Sequence, residues 1–261
     1  MTQENRSVPE SKKERRLQAR EELRKQREAE VAKKQRTKVA IIAAVVVLAL
    51  VIVVGVGYAL SKRGGNSVGA VKNPGTVAEG QSYLQFGAKA DKPVVDVYLD
   101  FLCPYCKLFG EAQSENLQKM AENGDITLRM HPRMMLDSFS TPAGYSQRSA
   151  NAAICVYNED SNKFFAMEKL LFENQPREGG AGLDDARLKE LAKQAGASDE
   201  VGKCIDSKKY VPWISANVEP EALETTQGTP TVKINGQIWD GNLGDVVALN
   251  AAIKAAGAPK Q

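Results

Sequence analysis

Val94-Val95-Asp96-Val97-Tyr98-Leu99-Asp100-Phe101-Leu102-Cys103-Pro104-Tyr105-Cys106-Lys107 is the stretch from which the rest of the chain can be read. Its first nine residues are an apolar, β-branched run of the length expected for a largely buried strand. From Lys107 to Met120 the pattern becomes helical. Two thiols separated by two residues therefore stand where a strand hands over to a helix. Cys103 falls at the helix N-terminus, where unpaired N–H groups and the macrodipole stabilise a thiolate. Pro104 takes the first helical position, where a missing N–H costs nothing. Cys106 follows one turn on, close enough to bond back to Cys103. The pattern is that of a reactive dithiol. Half of a zinc site is the rival reading, but it needs a second ligand pair. The other cysteines, Cys155 and Cys204, are far apart and His131 is the sole histidine, so no metal and no cofactor are expected.

Outward from this point the chain divides by composition. Residues 1–38 hold 13 Lys/Arg and 7 Asp/Glu, a net of +6, while the whole 261-residue chain has +3. Residues 39–261 therefore carry −3, so the basic balance belongs to the tail and no nucleic-acid partner is expected. Val39 to Leu60 is an uncharged run of 22 residues rich in Val, Ile, Ala and Leu. At ~1.5 Å per residue it spans a hydrocarbon core of ~30 Å. Lys33, Lys34, Arg36 and Lys38 crowd its N-terminal side, and only Lys62 and Arg63 follow closely. The positive-inside rule then puts residues 1–38 in the cytoplasm and the C-terminal part outside. A cleaved signal peptide fits less well, because the preceding polar segment and the apolar run are both too long. The tail reads as a solvated helix or disordered arm held by charge pairs, with docking to anionic lipid as the alternative. Residues 61–81, with Gly64-Gly65-Asn66-Ser67, Pro74-Gly75 and Gly80, read as a flexible linker.

Residues 82–261 read as one domain. A strand is expected over Tyr83–Phe86, a second over Val94–Phe101, a helix over Pro104–Glu122 closed by Asn123-Gly124, and a third strand over Ile126–His131. A helical block, at about residues 140–225, follows with patterns at Pro142–Tyr157, Lys163–Asn174, Asp184–Ala195, Asp199–Asp206 and Val211–Thr225. Thr231–Ile234, Asn235-Gly236 and Gln237–Trp239 form a hairpin signal with a type I′ turn. Asp245–Ala256 closes the chain as an amphipathic helix. The order is βαβ, a helical block, then ββα: an α/β, thioredoxin-like fold with an inserted helical block, preceded by a single transmembrane helix.

Asp100-Phe101-Leu102-Cys103-Pro104-Tyr105-Cys106, taken with Gly228-Thr229-Pro230-Thr231-Val232-Lys233-Ile234-Asn235-Gly236 far downstream, resembles the DsbA-like branch of the thioredoxin superfamily. The resemblance covers about Tyr83 to Gly257. It implies that Cys103 is the exposed nucleophile, that Cys106 closes the intramolecular disulfide and releases substrate, and that Pro104 and Tyr105 shape the site between them. It also implies that Thr229-Pro230 is a loop whose cis-proline faces the dithiol and whose backbone pairs with extended substrate. An ordinary turn proline is the bland alternative. The implied activity is thiol–disulfide exchange that forms disulfides in unfolded or reduced exported proteins, at the outer face of a bacterial cell membrane, with a membrane redox partner that resets the dithiol. An envelope disulfide reductase or isomerase, and a non-catalytic membrane-tethered client-binding scaffold, are the alternatives.

Two departures from the family pattern matter. Tyr105 stands where the best-known oxidants carry histidine, so an imidazolium is missing and the potential is expected nearer ~−200 mV than ~−120 mV. Val97 occupies the place of a buried acid six residues before the first cysteine, and strand alternation puts Asp96 and Asp100 on the opposite face from it. Cys155 and Cys204 are expected to form a structural disulfide, as thiols outside the membrane usually do, with two buried free cysteines as the alternative. In the chain-entropy model such a bridge contributes ~4 kcal/mol. His131, Met130, Met134, Met135, Trp213 and Trp239 read as structural, and Glu219, Glu221 and Glu224 as a solvated helix face.

Overall fold

The central sheet has five strands in the order β1-β3-β2-β4-β5. They are β1 (Leu84–Phe86), β2 (Val94–Leu99), β3 (Thr127–Pro132), β4 (Thr231–Ile234) and β5 (Gln237–Ile238). Among the described residues only β2 and β3 run parallel; β1 with β3, β2 with β4, and β4 with β5 are antiparallel. The computed structural model describes residues 71–257, except Thr76 and residues 88–90. The charged tail (1–38), the apolar span (39–60) and the first part of the linker (61–70) lie outside the described residues. Among the described residues no helix is long and apolar enough to cross a membrane.

The connection from β2 to β3 is a helix in three pieces: α1 (Pro104–Phe109), a π-helical turn (Gly110–Ser114) and α2 (Glu115–Glu122). Between β3 and β4 lies the helical block: α3 (Tyr145–Glu159), α4 (Phe164–Glu173), α5 (Asp185–Gln194), α6 (Glu200–Asp206), α7 (Val211–Trp213), a second π-helical turn (Ile214–Val218) and α8 (Glu219–Thr225). α9 (Val246–Ala256) closes the fold. It is capped by Asp245, whose carboxylate accepts from the Ala248 amide.

Alternation along β2 separates two layers. Val95, Val97 and Leu99 are fully buried. They share the interior with Leu117 and Ala121 of α2 and with Leu249 and Ile253 of α9. Each of the Val, Leu and Ile side chains contributes ~1.5–3 kcal/mol by leaving water. Gln113 and Asn116 tie this helix to the segment of α9, through Leu243 O at 2.9 Å and Asn250 Oδ1 at 2.8 Å. Asp96 and Tyr98 point the other way, into a polar layer with Arg129, His131 and Lys233 beneath α8. His131 Nε2 lies 3.1 Å from Asp96 Oδ1, and its ring stacks on Tyr98 at 3.9 Å.

Several sequence expectations shift. The second strand stops at Leu99, not Phe101, because Asp100 turns the chain: its Oδ1 accepts from Leu102 N and its carbonyl from Cys103 N. The first helix of the block begins at Tyr145 rather than Pro142, after Gly144 with φ of 111°. Asn235 and Gly236 both have positive φ, 49° and 81°, as the hairpin turn requires. Residues 71–81 are attached to the domain: Val77 is buried, Gly75 N donates to Asn158, and Trp213 Nε1 donates to Gln81 O. Of the glutamate cluster only Glu224 is on a solvated face. Glu219 bridges the buried Arg133 at 2.8 Å and Glu221 accepts from Tyr98 OH at 2.8 Å; the polar inner layer of the sheet draws both inward. Met130 and Trp213 are core residues, while Met135 is exposed.

Candidate active site

The strand-to-helix turn after β2 places the dithiol. Cys103 is the N-cap of α1, with extended backbone (φ −72°, ψ 120°), and Pro104 follows at the first helical position. The Cys103 carbonyl accepts the first helical bonds, from Cys106 N at 3.1 Å and Lys107 N at 3.2 Å. Both cysteines are free thiols. Cys103 is 5% exposed and Cys106 fully buried, whereas Tyr105 between them is 66% exposed. Cys103 is thus more covered than the expected exposed nucleophile, because the loop before β4 lies directly over it.

That loop contains the Thr229-Pro230 peptide bond, which is cis. Cys103 Sγ donates to the Thr229 carbonyl at 3.3 Å. The Thr229 hydroxyl is buried and has no hydrogen-bond partner among the described residues. Thr229 can therefore offer its carbonyl to the thiol and its hydroxyl to the thiolate.

The two sulfurs differ in acidity. Cys103 is lowered to about 6, chiefly by the Cys106 thiol, with the Cys106 amide, Thr229 and the Tyr105 amide adding to it against the opposing effect of burial. Cys106 is pushed well above the usual thiol range, first by burial and then by its thiol being committed to Cys103. Near neutral pH the pair holds one negative sulfur, beneath the Thr229 loop, and one protonated sulfur deeper in the core. A thiolate is the form that attacks a disulfide and the form that leaves one.

Asp100 organises the turn from inside. Its amide donates to Cys106 Sγ at 3.4 Å. Its fully buried carboxylate accepts from Leu102 N at 2.9 Å, Ser146 Oγ at 2.7 Å and Leu136 N at 2.8 Å. Burial raises its carboxyl to about 6 despite these donors, and the nearby Cys103 charge adds to the rise. Sequence alternation puts Asp100 on the face of Asp96. The structure instead sets it past the strand end, and its position in a turn is the signal that could have marked it.

Gln175, Arg133 and Glu219 were not legible as site residues. Gln175 donates to the carbonyls of Phe101 and Cys103. Arg133, directly after β3, reaches Glu219 and Thr226 and so ties α8 to the segment leading into the Thr229 loop. His131 lies in the polar layer under α8, with Nδ1 3.6 Å from Glu221 Oε2. The sulfurs of Cys155 on α3 and Cys204 on α6 are 2.00 Å apart, a disulfide within the helical block. No group of three or more His, Cys, Asp or Glu among the described residues is placed to hold a metal ion.

Comparison with known proteins agrees with this geometry. A family model described as thioredoxin matches residues 80–255, more than half of the chain. A disulfide bond oxidoreductase (DsbG) of Mycobacterium tuberculosis, in its reduced form, is 33% identical and superposes with a TM-score of 0.57, covering 71% of this chain and 85% of that one. Reduced DsbA of the same organism is 30% identical with a TM-score of 0.55, covering 67% and 99%. The serine/threonine-protein kinase PknE of M. tuberculosis is 27% identical over 166 residues, which are 60% of this chain. The chain spans only 28% of that kinase. The chain belongs to the thioredoxin superfamily and is a DsbA-like thiol–disulfide oxidoreductase with Cys103–Cys106 as its CxxC pair.

Proposed function

We propose that this protein forms disulfide bonds in exported proteins on the outer side of a bacterial cell membrane. The observation that supports this most directly is the unequal pair: Cys103 at a helix N-terminus with its thiol lowered to about 6, over a fully buried Cys106. A stabilised Cys103 thiolate favours the reduced dithiol, and a couple that favours its reduced state is an oxidant.

In the proposed reaction a client thiolate attacks the Cys103 sulfur of the oxidised enzyme. A client–Cys103 disulfide forms, and Cys106 leaves and is protonated. A second client thiolate then attacks the client sulfur of that mixed disulfide. The client gains a disulfide, Cys103 departs as thiolate, and two electrons rest on the dithiol. A membrane redox partner takes them and restores the Cys103–Cys106 bond. Pro104 and Tyr105 hold the two sulfurs one helical turn apart. Thr229 and Pro230 offer backbone to an extended client segment beside Cys103. Cys155–Cys204 serves as a structural brace, and no cofactor is invoked.

The arrangement of the chain fits that role. Residues 1–38 would lie in the cytoplasm, 39–60 would cross the membrane once, and the catalytic domain would stand outside on the linker. The apolar length of 39–60 and the Lys/Arg excess on its N-terminal side support this topology.

The deciding experiment is the reduction potential of the Cys103–Cys106 couple, measured beside refolding of a reduced multi-disulfide substrate and insulin reduction. A potential nearer ~−200 mV, with refolding faster than insulin reduction, supports the oxidase. A value near ~−270 mV would overturn it in favour of an envelope reductase or isomerase. Replacing Cys106 with alanine should accumulate client adducts on Cys103; their absence with client binding intact would make the protein a tethered scaffold.

A further inference from the structure

Gln175 lies just beyond the end of α4, in the irregular segment before α5. Its side-chain Nε2 donates to two backbone carbonyls, those of Phe101 and Cys103, each at 2.9 Å. The two carbonyls flank Leu102, at the centre of the turn that delivers the dithiol. Asp100 closes the same turn from the other side, with its carbonyl on Cys103 N and its carboxylate on Leu102 N. The Cys103 carbonyl already receives the amides of Cys106 and Lys107, so Gln175 is its third donor.

The approach of Gln175 is fixed by packing. Phe172, three residues earlier, lies against Phe101 with ring centroids 5.2 Å apart. It also lies across Gly110, where an added β-carbon would come within 2.9 Å of its ring. The helical block is therefore keyed to the dithiol helix by an aromatic contact and by a bidentate amide.

We infer that Gln175 is a positioning residue for thiol–disulfide exchange, contributed by the helical block to the reactive turn. By holding the peptide planes on both sides of Leu102 it fixes the direction in which Cys103 projects its sulfur. Attack at sulfur is directional, and small misplacements of a reacting group cost rate. Its amide hydrogens also cover carbonyl oxygens close to Cys103, which would otherwise present partial negative charge to a thiolate.

Gln175→Met keeps the length and removes both donors. Gln175→Glu keeps the shape and replaces the donor with an acceptor that bears charge. In the full chain, two quantities are read for each variant: the pH midpoint of Cys103 thiolate formation and the equilibrium constant against glutathione. Q175E is expected to raise the midpoint by about one unit and to make the couple about tenfold less oxidising, ~30 mV for two electrons. Q175M is expected to move both in the same direction by about threefold. A role confined to packing would lower the melting temperature and leave both quantities at wild-type values; that result in both variants overturns the inference. Should Q175E fail to fold, Q175M decides on the same criterion. A wild-type protein that never equilibrates with glutathione would instead remove the redox reading, and the inference with it.

Discussion

Arg133 Nη2 and Glu219 Oε2 form an ion pair at 2.8 Å inside the protein, with 2% and 15% of their side-chain surfaces exposed. Glu219 Oε1 accepts from Met134 N at 2.7 Å, and Arg133 Nη1 donates to Thr226 Oγ1 at 3.2 Å. One pair thus joins the exit of β3, the start of α8 and the approach to the Thr229 loop. Breaking a buried pair from one side leaves an uncompensated charge. Glu219→Gln is expected to cost about 3 kcal/mol, with Arg133→Met/Glu219→Gln recovering much of it. Urea unfolding midpoints of the two variants test this. A single variant as stable as wild type would show that the pair contributes nothing.

The acidity of Cys103 predicts how stability depends on redox state. Its thiol titrates near 6 in the folded protein and near 9 otherwise. Between those values the unfolded reduced chain binds more protons than the folded one, so stability of the reduced form rises with pH. The gain is lost as pH falls through 6. The oxidised form lacks the titration. The stability of reduced over oxidised protein should therefore widen from pH 6 to pH 8.5 in parallel urea titrations, and a constant gap would refute the lowered thiol. Alkylation by iodoacetamide, half-maximal at about 6 in the wild type, should shift upward by about one unit in Cys106→Ala, since the Cys106 thiol is the largest lowering influence.

Glu168 on α4 is buried against Ser114 in the π-helical turn, 3.1 Å from its hydroxyl, beside a cleft of about 440 Å³. Its second oxygen has no hydrogen-bond partner among the described residues. Burial raises its carboxyl to about 8 from an ordinary 4.5. Between those values the folded state holds a proton that the unfolded state releases, so this group erodes stability as pH rises. Glu168→Gln keeps the contact with Ser114 without the titration. It should be more stable than wild type at pH 8 and equal to it near pH 4.5, by thermal unfolding. Equal pH slopes for the two proteins would contradict the assignment.

What the sequence showed and what it hid follow from the range of the interactions. The dithiol at the strand–helix junction was legible because Cys103, Pro104 and Cys106 act through local backbone geometry. The Asn235-Gly236 turn was legible for the same reason. Asp100 was half legible: an acid at a strand end suggests a turn, but its reach to Leu136 and Ser146 depends on two segments over thirty residues away. Gln175 meets Cys103 across 72 residues and Arg133 meets Glu219 across 86, and neither pair leaves a periodic trace. Glu219 and Glu221 misled because three acids on one short helix resemble a solvated face. Glu221 meets Tyr98 on β2, His131 on β3 and Lys233 on β4, and Glu219 meets Arg133 and Met134 directly after β3; only the assembled sheet brings these beneath α8.

Tyr105 offers the last test, because it isolates one source of thiolate stability. Its side chain is 66% exposed at the second position of α1, so replacement disturbs little packing. A histidine there would place a titratable cation near Cys103. Its pKa would rise while Cys103 is a thiolate, so the stabilisation is present below that pKa and fades as pH increases through it. Tyr105→His should make the couple about tenfold more oxidising towards glutathione at pH 6, with a much smaller gain at pH 8.5. The same variant should lower the iodoacetamide midpoint of Cys103. A gain of equal size at both pH values would mean that the substitution acts through helix geometry and not through charge. No gain at either pH would show that position 105 lies outside electrostatic reach of the Cys103 sulfur.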